Sequence, residues 1–293
     1  MKKTVIWGTG DLGLYLFDRL QDTHEIIAFV SNTHTPGISN IPVISPDVLP
    51  TLSFDIVYIA SCNALDDIYK QLIIDLNIPA SRICRIWGEM WKTGKLSSSS
   101  STVAYRIHWL ESFAFWVYSH DIQGNCAEIG VYKGDFAKEI NRLFFDRKLY
   151  LFDTFEGFAD VDIHNEREMS ISFERKLTII EDKNYFADTT IDTVKEQLVF
   201  PELVSIKKGY FPDTYDLVNE QFVFVNIDTD LYNPIKACLD TFYPNMVKGG
   251  VILIHDYCSA FSGSSQAVDE FCSNHAITPI PNGDYCSMAI IKS

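Results

Sequence analysis

The strongest constraint on this chain is a repeated alternation of short apolar runs and helix-periodic stretches, broken once by the serine tract KLSSSSST at residues 95–102. Before the tract, an apolar run at 4–7 enters GTGDLG (residues 8–13), a helical pattern follows to Leu20, and a second run occupies 25–30. Another run at 54–60 and a helical pattern at 66–76 complete that block. After the tract, strand-like runs recur at 126–130, 148–153, 203–207, 222–228 and 251–256, with two shorter ones near 277–280 and 287–291. Strands that alternate with helices pair in parallel, so both blocks read as α/β units, the second with about seven strands in a doubly wound sheet. The expected division is a Rossmann-like domain at 1–95, a linker at 96–102 and a larger domain at 103–293. Tyr105, Trp109, Phe113, Trp116 and Val117 recur at helical spacing and should bury one face.

Composition narrows the partners. A formal net charge of −15 would repel a nucleic-acid backbone or an anionic membrane surface. No apolar run reaches the roughly 20 residues that span a bilayer, and the opening MKKTVIWGTG is a strand entering a glycine loop rather than a signal peptide. The expectation is a cytoplasmic protein acting on a small molecule, with a homo-oligomer allowed. Its seven cysteines contain no CxxC pair, which suits core packing in a reducing compartment better than disulfides or zinc.

Ligands of doubly wound folds bind at the carboxyl ends of the strands. EIGVYKG (residues 128–134) leaves such an end and opens a helix, so Gly130 and Gly134 let backbone approach a ligand. Asp153 ends the next strand, where an acid can accept hydrogen bonds from ribose hydroxyls. These features alone admit both NAD and S-adenosylmethionine. Glu128 separates them: a carboxylate at the start of a loop without GxGxxG spacing would repel a pyrophosphate but suits an amino group and a sulfonium.

The segments EIGVYKGDFA, LFDTFEGF, KKGYFPDTY, VNIDTDLYNPIKACLDTFYPNMVKGGVILIHDY and SSQAVDEFC resemble, in order, the macrocin O-methyltransferase (TylF) family. The resemblance implies a class I methyltransferase fold and, in several members, magnesium-assisted methyl transfer to a sugar hydroxyl. It places Glu128, Gly130 and Asp153 on S-adenosylmethionine and puts Gly209, Tyr210 and Phe211 near the adenine.

Asp228 and Asp230 close one buried strand and His255 and Asp256 the next. Adjacent strands lie about 5 Å apart, so three carboxylates and an imidazole should meet at one cleft edge. Such crowding is sensible around a divalent cation or a working base. By resemblance, Asp228 and Asp256 would hold metal and Asp230 would be the general base. His255 stands where the family usually has Asp. Either it joins the metal, favouring a softer ion than magnesium, or it takes the acceptor proton itself. Helix capping is the competing use of such aspartates, although Asn233 before Pro234 already looks like the cap of the following helix.

Residues 160–193 are polar and weakly periodic, as expected of an acceptor-selecting lid. In the first block, Asp11 within the glycine loop and Ser31-Asn32 at the next strand end speak against a dinucleotide. GISNIPVISPD (residues 37–47) resembles accessory domains of nucleotide-sugar epimerases and polysaccharide-biosynthesis proteins. The leading expectation is a sugar or nucleotide-sugar O-methyltransferase. A non-catalytic nucleotide or nucleotide-sugar binding protein is the alternative, and an NAD oxidoreductase a weaker third.

Overall fold

The computed structural model describes residues 1–33, 37–61, 64–85, 101–169, 185–257, 262–284 and 286–293. The chain divides into two compact units, Met1–Lys95 and Leu96–Ser293.

The first unit is built on five parallel strands, β1 (Lys2–Trp7), β2 (His24–Val30), β3 (Val43–Ile44), β4 (Ile56–Ile59) and β5 (Ile83–Arg85), in the order β3-β2-β1-β4-β5. Val5, Trp7, Val30, Val57 and Ile59 are buried in its core, as near-continuous apolar strands of a covered parallel sheet require. The glycine loop runs straight into α1 (Asp11–Leu20). The helix expected over 66–76 is α2 (Leu65–Lys70) followed by a π-helical turn, Gln71–Asp75.

The second unit carries β6 (Asn125–Ile129), β7 (Leu149–Asp153), β8 (Val204–Lys208), β9 (Phe222–Ile227), β10 (Met246–Ile254), β11 (Ile280–Pro281) and β12 (Met288–Ile291). Their order is β11-β12-β10-β9-β6-β7-β8, with β12 antiparallel to both neighbours and the other pairs parallel. This mixed seven-stranded sheet is the class I methyltransferase-like α/β fold. The chain leaves β6 toward β7 and β8, then returns to β9 on the other side of β6. The switch point therefore lies between β6 and β9, and their carboxyl ends frame the crevice.

Its helices are α3 (Ser101–Ser119), α4 (Asp135–Leu143), α5 (Asp160–Met169), α6 (Ile191–Gln197), α7 (Tyr232–Phe242) and α8 (Ser262–His275). Two local expectations change. Residues 101–102, expected in the linker, belong to the start of α3. The inward face of α3 is Arg106, Leu110, Phe113, Ala114 and Val117, while Tyr105 (47% exposed) and Trp116 (39% exposed) turn outward. Of the expected stripe, Phe113 and Val117 are buried and Trp109 packs on Phe113 and Phe224, while the inward face also carries the charged Arg106 and Glu111.

Candidate active site

A cavity of about 570 Å³ opens at the carboxyl ends of β6, β7, β9 and β10. Glu128, Gly130, Asp153, Gly209, Tyr210, Phe211, Asp228, Asp230, His255 and Asp256 all line it. Gly134 does not: it sits behind the loop as the residue preceding α4, where an added Cβ would stand 3.0 Å from Val194. Its smallness serves helix packing rather than ligand approach.

Gly130 (φ 82°) ties the two halves of the cavity together. A Cβ there would fall 2.0 Å from the Asp228 carbonyl oxygen, so only glycine lets the loop after β6 lie against the end of β9. Asp153 fixes the other side of that loop, one oxygen accepting from the Val131 and Tyr132 amides at 2.6 and 2.9 Å and the other from the Phe155 amide at 2.6 Å. The carboxylate expected to meet a ribose thus also shapes the loop.

Glu128 is 1% exposed. Asn226 Nδ2 donates to its Oε1 at 2.9 Å, while its Oε2 has no hydrogen-bond partner among the described residues. Burial, then the nearby Asp228 charge, pushes its carboxyl well above the usual range. An orphaned buried acceptor is costly, and a ligand's amino group would satisfy it.

The three aspartates and His255 converge as their strand-end positions require. His255 Nδ1 lies 2.8 Å from Asp256 Oδ2 and 3.1 Å from Asp228 Oδ1. Its Nε2 lies 3.2 Å from Cys286 Sγ. The residue missed from sequence is Arg106, whose Nη1 donates to Asp228 Oδ2 at 2.8 Å and whose guanidinium lies 4.3 Å above the Phe136 ring. Burial alone would raise the Asp228 carboxyl, but His255 and Arg106 outweigh it and hold it well below the usual range. Desolvation would discharge His255, yet Asp228 and then Asp256 raise its pKa instead. Asp230 goes the other way, raised by burial and by Asp256 and Asp228.

Asp230 (φ 60°) and Asp256 (φ 63°) both adopt left-handed backbone, a strain that concentrates at functional sites. Neither acts as the cap of α7. Its N-cap is Leu231, without a side-chain bond, and Asn233 instead donates to Asp162 at 3.3 Å. Tyr210 also donates to Asp162, at 3.0 Å, and Phe211 is mostly core, packed on Phe152 and Phe242.

The lid expected within 160–193 lies partly outside the described residues, which omit 170–184. What is described there is α5 and, from Tyr185, an aromatic wall of the cavity comprising Tyr185 and Phe186 with Phe158 and Tyr132. Among the described residues no helix is long and apolar enough to cross a membrane.

Comparison with known proteins follows the two units. Residues 1–84 match a family described as C2185-like, N-terminal, which lends nothing to the nucleotide-sugar resemblance of residues 37–47. A relative is the mycinamicin III 3''-O-methyltransferase of Micromonospora griseorubida, 26% identical over 170 residues, 54% of this chain and 63% of that protein's length. This chain therefore spans less than two thirds of that relative. The solved O-methyltransferase NovP shares the fold, with 22% identity, a TM-score of 0.54 and coverage of 65% of this chain and 80% of its own. Residues 85–290 match the family described as Macrocin-O-methyltransferase (TylF), and the chain belongs to that family.

Proposed function

We propose that this chain transfers a methyl group from S-adenosylmethionine to a hydroxyl of a sugar, carried as a glycoside or on a nucleotide. The observation that carries this reading is one cavity lined by two chemically different groups of residues. A glycine loop with the unpaired Glu128 oxygen is one, and the adjoining Asp228–Asp230–His255–Asp256 cluster is the other.

S-adenosylmethionine, when bound, supplies a methyl on a positive sulfonium, so transfer forms the oxygen–carbon bond as the carbon–sulfur bond breaks and leaves its electron pair on sulfur. Glu128 receives the amino group, Asp153 the ribose, and the Gly209–Tyr210 segment borders the adenine. Gly130 brings this loop against Asp228 and thereby fixes the two groups at one spacing, the main contribution positioning can make. Asp230 takes the hydroxyl proton. Its raised pKa makes its carboxylate a stronger base than an ordinary one, which is what a weakly acidic alcohol requires.

Asp228, His255 and Asp256 offer donor atoms within 4.8 Å of one another, the set expected to hold a metal. They do not fit magnesium. That ion wants oxygen ligands in an octahedron, whereas one Asp228 oxygen is bound to a guanidinium and the central donor is a ring nitrogen. The expectation rested on the family resemblance and on neutralising three aspartates; Arg106 and a protonated His255 are a second way to neutralise them. A softer ion would have to displace the proton that His255 Nδ1 shares with two carboxylates. No step here runs through a metal.

The test is to incubate the protein with S-adenosylmethionine and panels of glycosides and nucleotide sugars, reading methylated product by mass. Methylated sugar is the expected result. Binding of S-adenosylmethionine by calorimetry without product from any sugar would favour the non-catalytic alternative, and absence of both would overturn the reading.

A further inference from the structure

Resting on the sugar O-methyltransferase reading, we propose that Tyr185 and Phe158 form the platform for the acceptor's pyranose ring, presenting its hydroxyl to Asp230 and Asp256. Four aromatic rings run along the cavity wall in unbroken contact. Tyr132 meets Phe186 at 4.9 Å, Phe186 meets Tyr185 at 4.3 Å, and Phe158 touches both, at 5.6 Å from Phe186 and 6.3 Å from Tyr185. Phe158 and Tyr185 lie near-parallel, 24° apart, and both line the cavity. Tyr185 keeps 39% of its surface exposed. An aromatic ring left open inside such a cavity is hydrophobic surface that a flat apolar ligand face would cover.

The wall's position selects the acceptor rather than the methyl donor. The segment proposed to border the adenine, Gly209–Tyr210, follows β8, the edge strand beyond β7. Tyr185 lines the same cavity as Asp230 and Asp256; burial, then Asp230, Tyr132 and Asp256, raise its phenol, in keeping with those carboxylates as neighbours. A pyranose matches this pairing of surfaces: its C–H face is apolar and covers a ring, while its rim hydroxyls donate to carboxylates.

Charge refines the class. Among the described residues, the arginine and lysine lining the cavity are already engaged, Arg106 with Asp228 at 2.8 Å and Lys133 with Asp188 at 2.6 Å, and His255 is held between Asp228 and Asp256. A neutral pyranoside enters without disturbing these pairs, whereas the diphosphate of a sugar nucleotide would compete with Asp228 and Asp188 for Arg106 and Lys133. The shared chemistry is the pyranose ring, and the two sources are separable by experiment.

Saturation-transfer NMR with S-adenosylhomocysteine bound provides the test, using methyl pyranosides in one arm and UDP-glucose in the other. Wild type should bind methyl pyranosides through their C–H face. Tyr185→Ala and Phe158→Ala should each weaken that binding at least about fivefold, with S-adenosylhomocysteine affinity by calorimetry unchanged within about twofold. Tyr185→Phe keeps the ring and should bind nearly as wild type. Sugar binding that survives both alanine variants overturns the platform alone. Equal loss of S-adenosylhomocysteine shows that the rings serve the cofactor and overturns it too. Binding confined to UDP-glucose overturns the neutral-acceptor class. Absence of sugar binding in wild type removes the sugar reading itself.

Discussion

The two glycine loops of this chain follow one backbone plan and serve different ends. Gly8 and Gly13 in the first unit are required by the loop's own packing. A Cβ on Gly13 would stand 2.0 Å from the Gly8 carbonyl oxygen, and one on Gly8 2.6 Å from the Ala60 carbonyl oxygen. The strand beside that loop, β2, is followed directly by Ser31, whose hydroxyl is 3.1 Å from that of Thr33. In the second unit Gly130 presses instead on the Asp228 carbonyl, and the adjoining strand ends in Asp153, which gathers the loop's amides. Glycine spacing therefore reports the path of the backbone, while the acids at neighbouring strand ends report the ligand.

The sharpest way to break this comparison is one methyl group in each loop. Gly130→Ala combines a left-handed φ with a backbone clash and should cost about 2–6 kcal/mol, abolishing S-adenosylmethionine binding in whatever fraction remains folded. Gly10→Ala meets nothing within 4 Å and should cost no more than about 1 kcal/mol, the loss of a glycine at an N-cap. Paired thermal melts and calorimetry read both. A Gly130→Ala protein that binds the donor as wild type would detach the loop from the site.

Arg106 is the next largest effect. Arg106→Met leaves a half-buried Asp228 without its guanidinium and should destabilise the protein by about 2–4 kcal/mol, measured by urea denaturation. A change below about 0.5 kcal/mol would mean that the pair holds nothing. If Arg106 and His255 neutralise the cluster, methyl transfer should also persist in strong chelator. Loss that magnesium restores would return a metal to Asp228, His255 and Asp256.

The unequal legibility of these features has a physical cause. The alternation of strands, the seven-stranded sheet and the acids at its carboxyl edge are local patterns, because side-chain period and strand ends are written in a few consecutive residues. Arg106 meets Asp228 across 122 residues, and only the register of α3 could have announced it. Trp109, Phe113 and Val117 mark that register correctly, but Tyr105 and Trp116, expected inward with them, are exposed, and a charged residue on the same face is not announced by an apolar stripe. The Asn226–Glu128 bond likewise joins side chains on adjacent strands, β9 and β6, whose pairing is not apparent before the fold is known. Asp153 was readable as a strand-end acid, but its bonds to the Val131 and Tyr132 amides depend on how the glycine loop closes.

A smaller effect sharpens the charge assignment at His255. Its folded pKa is raised, so the imidazolium's contribution is complete below the unfolded value of about 6.5 and declines as pH rises from there toward the folded value. Relative to His255→Gln, wild type should lose up to about 1.4 kcal/mol of stability per pH unit above that point. Urea midpoints of both proteins at two pH values on the alkaline side, and one below, give the slope. A difference that does not vary with pH would mean that His255 is neutral in the folded protein, and the neutralisation assigned to it would fail.

The smallest expected effect is the most direct comparison of the two units, removal of the first. Among the described residues, those lining the cavity run from Arg106 to Asp256, and the TylF match begins at residue 85. The second unit also has its own sheet and its own buried cluster around Phe152, Val225 and Ile252, which is what independent folding requires. A chain beginning at Leu96 should therefore bind S-adenosylmethionine with an affinity within about twofold of the full chain, less than about 0.5 kcal/mol. Circular dichroism establishes that the shortened chain is folded, and calorimetry compares the affinities. A folded second unit that no longer binds the donor would show that the first loop, for all its different surroundings, is needed at the same site.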